Sequence, residues 1–127
     1  MMKYDPEDWE NYHKGIRLFN REKFFEAHEA WEEIWKRTQD DDDKKFLQGL
    51  IQAAAFLVHL QNGYGKTAVK LHDAASEKLS SFHRGYWGVD IQKLLDAFRG
   101  VREKAERDES VTEYPKLLLL KKLDEVK

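Results

Sequence analysis

The chain has 127 residues, with 22 basic and 24 acidic side chains, a formal charge of −2 and no cysteine. A chain of this length forms one domain burying roughly two thirds of its unfolded surface, so folding requires no disulfide or structural metal. The lack of cysteine excludes a disulfide framework, a thiolate zinc site and cysteine nucleophile chemistry, and the mixed charges exclude the basic stripe of a nucleic-acid binder.

The opening residues, MMKYDPEDWENYHKG, lack the apolar core of a signal peptide. No apolar run reaches the ~20 residues that span a bilayer, so a soluble cytoplasmic protein is expected. Asp5-Pro6 is an N-cap followed by a first-turn proline and opens a helix running to about Phe19. Asn20 is placed to cap a second helix, from about Arg21 to Arg37. The acidic run Asp40–Asp43, followed by Lys44 and Lys45, reads as a solvated loop whose charge favours the next helix N-terminus. It lacks the alternate oxygen ligands and mid-loop glycine of a calcium loop.

A third helix is predicted from about Asp43 to Gln61, ended by Asn62-Gly63. Leu47, Leu50, Ile51, Ala53–Ala55, Phe56, Leu57, Val58 and Leu60 leave it little polar surface, which makes it the central helix. A fourth helix runs from Gly65 to about Ser81, and His83–Gly88 breaks the pattern. Gly63-Tyr64-Gly65-Lys66-Thr67 is not a phosphate loop, because Leu60 stands at the required first glycine and a helix precedes it. Asp90 caps a fifth helix to about Arg107, with Ile91, Leu94, Leu95, Phe98 and Val101 at a 3.6-residue period. The tail from 108 to 127, with Pro115 and Leu117–Leu120, is expected to pack on the bundle.

The predicted fold is therefore all-α: a single domain over residues 1–127 with its core at about 6–107. About five helices form two antiparallel hairpins plus a C-terminal helix, with the third helix central. Phe24-x-x-Ala27-x-x-x-Trp31 has a weak echo in Gly65-x-x-Ala68-x-x-x-His72, which supports the paired hairpins.

The segment Phe24–Trp35, FFEAHEAWEEIW, carries the most chemistry. On a helical wheel Phe24, Phe25, Trp31 and Trp35 share one side, with His28 near its centre and Glu32 at its edge. On the third helix Gln48, Gln52 and His59 form a polar stripe that is expected to face them. Imidazole and carboxylate converging between facing helices suit a divalent metal, with His28, Glu32 and His59 as ligands and Glu29 as a general base. His-Glu-x-x-His and Glu-x-x-His are both missing. The competing reading is structural, since Gln48 and Gln52 can satisfy both imidazoles by hydrogen bonding. Trp31 and Trp35 are expected in the core, and Trp87, in a glycine-flanked loop, on the surface as a partner contact.

Asn20, Phe24, Phe25, Glu26, Ala27, His28, Glu29, Trp31, Glu32 and Trp35 together resemble the signature of the bacterial and archaeal family known as domain of unknown function 309. Gln48-Gly49-Leu50-Ile51-Gln52 with Ala53–Ala55 and His59 resembles that family's second motif, and Asn62-Gly63 before Ala68 fits as well. The resemblance extends over roughly residues 8–100. It implies a compact multihelical domain and supplies no activity, cofactor or catalytic residue. The expectation is a non-enzymatic binding or protein-interaction module containing a buried His/Glu/Gln network. It needs no cofactor and has a protein partner or small ligand, or a second copy of itself, as occupant, without nucleic acid or membrane. The alternative is a metal-binding protein or metal-dependent enzyme using His28, Glu32 and His59.

Overall fold

The computed structural model describes residues 4–120. Its helices are α1 (Pro6–Asn20), α2 (Phe24–Trp35), α3 (Asp41–Gln61), α4 (Gly65–Leu79) and α5 (Ile91–Glu106), with one turn of 3₁₀ helix at Tyr86–Gly88. Among the described residues there is no strand, only an antiparallel bridge between Val89 and Leu119. The fold is an all-α bundle in which each helix packs on the next, and α3 lies between α2 and α4. Residues 121–127 of the predicted tail lie outside the described residues.

Close helix approach depends on two glycines. A Cβ on Gly15 would lie 2.1 Å from Trp31 Nε1, and one on Gly49 would lie 2.7 Å from a Leu79 methyl. Trp31 is thereby wholly buried between α1 and α2, where its Nε1 donates to the Tyr12 carbonyl at 3.3 Å. Burying an indole of this size is worth ~4–6 kcal/mol by area. Phe19 and Phe24 close the same hairpin edge-to-face at 4.9 Å, and Phe56 and Phe98 join α3 to α5 in the same way at 5.4 Å.

The second helix begins later than Asn20 suggests. Glu22 takes a left-handed φ of 63°. Lys23 N–H donates to Leu18 O at 2.9 Å and Glu22 N–H to Phe19 O at 3.0 Å, the paired bonds of a Schellman motif ending α1. The same pairing ends α3 at Gly63 and α5 at Asp108. Only Gly63 announces itself in the sequence. Asn20 closes α1 and clasps the tail: its Nδ2 donates to Leu117 O at 3.0 Å, and its Oδ1 accepts from Leu117 N–H at 2.7 Å. At the other end of α1, Asp8 accepts from the Asp5 N–H at 3.0 Å and pairs with Arg37.

Candidate functional site

The α2 wheel is rotated from its expected setting. Ala27, Ala30 and Ile34 are buried with Phe24 and Trp31, so the small residues draw the core face away from the aromatic side. His28 falls at the margin of that face, not at its centre. Phe25 is 56% exposed and stacks on His28 with centroids 6.1 Å apart. Trp35 is half-buried, with Lys44 Nζ 4.6 Å over its ring. Phe25, His28, Glu32 and Trp35 thus form a stripe at steps of three and four along the outer side of α2.

The matching stripe on α3 is Gln48, Gln52, Ala55 and His59, all half-buried. Trp35 and Gln48 line a common groove of about 390 Å³ with Lys44 and Lys78. Further along, Gln61 Nε2 donates to Glu22 O at 3.2 Å. Next to His59, Tyr64 is 62% exposed with its ring 6.2 Å away.

Within this face His28 Nδ1 lies 3.4 Å from Glu32 Oε1, the His28 side chain being 24% exposed. No hydrogen bond joins α2 to the α3 stripe: His28 Nδ1, Gln52 Oε1 and His59 Nδ1 are buried atoms without any hydrogen-bond partner. The expected closed network of glutamines and imidazoles is therefore not formed. Gln48 and Gln52, one turn apart on α3, lie along its half-buried stripe and make no hydrogen bond to α2 among the described residues. Glu29 is exposed on the far side of α2 and pairs with nothing among the described residues. Among those residues no three His, Asp or Glu side chains converge as ligands for a metal ion.

Two clusters escaped the sequence reading. Asp43 belongs to the acidic run expected to be solvated, yet it is only 5% exposed. It accepts from Tyr4 Oη and Tyr86 Oη, both at 2.6 Å, and from Trp87 Nε1 at 3.1 Å. Burial, and then the Asp43 carboxylate, push the Tyr4 and Tyr86 hydroxyls far above their ordinary pKa. Trp87 is thus not a surface contact. It packs against Tyr4, Trp9 and Tyr12, with its carbonyl accepting from Tyr12 Oη at 2.9 Å. This grip holds Trp87 at a left-handed φ of 50°, a conformation that disfavours bulky residues.

The second cluster is on α4. His72, for which the sequence offered no company, is 5% exposed and sits between Asp73 at 2.9 Å and Ser76 at 3.3 Å. Arg102 of α5 reaches across to grip Asp73 with two bonds, at 2.7 and 3.1 Å. His-Asp-x-x-Ser was visible as spacing, but the arginine is brought in only by the fold.

A family model described as "Domain of unknown function (DUF309)" matches residues 12–71, a shorter stretch than the resemblance suggested. The uncharacterized protein YpuF of Bacillus subtilis (strain 168) is 31% identical over 98 residues, which cover 76% of this chain and 55% of that protein. The chain spans about half the length of this curated relative. No helix among the described residues is long and apolar enough to cross a membrane.

Proposed function

With the chain belonging, through residues 12–71, to the DUF309 family, we propose that it is a binding module whose outer α2–α3 face receives a helical segment of a protein partner. The observation that carries this reading is the pair of half-buried polar stripes on that face, whose Gln52 Oε1 and His59 Nδ1 make no hydrogen bond in the chain. A buried polar atom left without a hydrogen bond costs about 1–3 kcal/mol. A partner whose docking turns the Gln52 and His59 side chains outward to its own donors and acceptors recovers this on binding. The two half-buried stripes have the three-and-four spacing on which a third helix seats its side chains. Phe25 and Tyr64 supply exposed aromatic rims of the kind that anchor interfaces.

The test places a photo-cross-linking phenylalanine analogue at Phe25, and separately at the exposed Glu103 of α5, in the full-length protein in its host cells. The expected outcome is a discrete polypeptide adduct from Phe25, absent from Glu103 and lost when Gln52→Glu is added. Equal adducts from both positions, or none from Phe25, would refute the assignment. Melting that shifts with chelator would instead turn the reading toward a metal at His28, Glu32 and His59.

A further inference from the structure

The groove between α4 and α5 lies apart from the α2–α3 face and holds a different chemistry. It has a volume of about 410 Å³ and is lined by His72, Asp73 and Ser76 together with Ser80, Leu95 and Arg99. His72 and Ser76 are brought together by helical spacing alone, one turn apart. The rest of the arrangement does not follow from that spacing. His72 is packed edge-on against Phe56 at 5.3 Å and against Phe98 at 6.0 Å, which fixes its ring. A carboxylate can only accept, so Asp73 places the imidazole proton on Nδ1 and leaves the Nε2 lone pair to accept from Ser76 Oγ. The two bonds from Arg102, followed by the contact with His72, hold the Asp73 carboxyl down at about 2. Hydroxyl, imidazole and carboxylate therefore stand in the order that activates a serine for nucleophilic attack.

We propose that this groove is a second site, in which Ser76 attacks small carboxylic esters with His72 as general base. Ser76 Oγ forms a bond to the ester carbonyl carbon as its proton passes to His72 Nε2. The ester C–O bond then breaks, and the alcohol leaves with that proton. Water attacks the acyl-serine, giving its proton to His72, which returns it to Ser76 Oγ. The balance is ester plus water to carboxylic acid plus alcohol. Arg99 lines the groove as a cation already paired with Asp96, so the oxyanion draws on only part of its charge. Asp73 and Arg102 are positioning residues.

The test treats the full-length protein with a fluorophosphonate probe, locates the adduct by mass spectrometry, and follows hydrolysis of p-nitrophenyl acetate. The expected result is a single adduct on Ser76, lost in Ser76→Ala while helical circular dichroism shows that the variant is folded. Asp73→Asn is expected to slow labelling by about 100-fold, because it removes the acceptor that orients the imidazole, and Asp73→Glu is expected to recover part of that loss. The other charged groups around His72 are Arg102 with its partner Glu106, Arg99 with its partner Asp96, and Glu77 in the groove; they are unchanged in that variant. Labelling elsewhere but not at Ser76, hydrolysis equal in Ser76→Ala, or labelling of Asp73→Asn at the wild-type rate would each overturn the proposal.

Discussion

Gln52→Met separates an open binding face from a closed network. Methionine preserves the length and flexibility of glutamine while removing the amide. Gln52 Oε1 is a buried acceptor with no partner in the chain, and such an atom costs about 1–3 kcal/mol. The glutamine Nε2 makes no hydrogen bond within the chain either, so its removal breaks nothing. Because Gln52 is half-buried, the lower end of the range applies, and the isolated protein is expected to gain about 1 kcal/mol. For a domain of this size that raises the melting midpoint by roughly 3–6 °C. Gln48→Met, on the same stripe without a buried orphan atom, is the control and is expected to change stability by less than about 0.5 kcal/mol. The assay is calorimetric melting of the purified full chain, supported by urea unfolding. A loss of about 1 kcal/mol or more in Gln52→Met would show that the amide is satisfied in the free fold, and the argument from orphan atoms would fail. The same substitution is expected to abolish the Phe25 cross-link, placing stability and binding in opposition at one residue.

Asp43→Ala removes one acceptor from three donors, those of Tyr4, Tyr86 and Trp87. It is expected to destabilise by about 3–5 kcal/mol in urea unfolding, and a loss below about 1 kcal/mol would refute the role assigned to this carboxylate. Alkaline unfolding gives an independent check. Burial first, and Asp43 for Tyr4 and Tyr86, raise the hydroxyls of Tyr4, Tyr12 and Tyr86 above their unfolded value of 10.0. Their contribution is therefore complete below that value and is lost as pH rises past it, where the unfolded chain releases protons first. Tyrosinate absorbance of these residues is expected to rise together with the loss of helical circular dichroism, and a rise well before unfolding would contradict their burial.

The helices were legible because apolar periodicity and the Asp5-Pro6, Asn62-Gly63 and Asp90 boundary signals agreed with one another. Their junctions were less so, since Glu22 and Asp108 occupy left-handed positions where glycine is the usual signal. The orientation of α2 was misjudged because aromatic residues were weighted over alanine, although Ala27 and Ala30 determine how closely α2 approaches its neighbours. On the candidate site, spacing places His28 with Glu32 along one side of α2, and Gln52 with His59 along one side of α3. Whether those side chains bond to one another depends on rotation by a few tens of degrees, which a periodic pattern does not fix. Asp43 and Arg102 were invisible for a different reason. Each owes its role to partners 29 to 44 residues away in sequence, and nothing in a charge run distinguishes the acid that folds inward from its solvated neighbours.

The clasp between Asn20 and Leu117 has a bearing on the order in which the molecule assembles. Its two bonds join residues 97 apart, and Lys116 Nζ adds a third, to Asn20 O at 2.9 Å. Asn20 presents its amide in this direction only once the turn between α1 and α2 has closed. Docking of the tail therefore reads out a finished first hairpin, and its high contact order places it among the last events of folding.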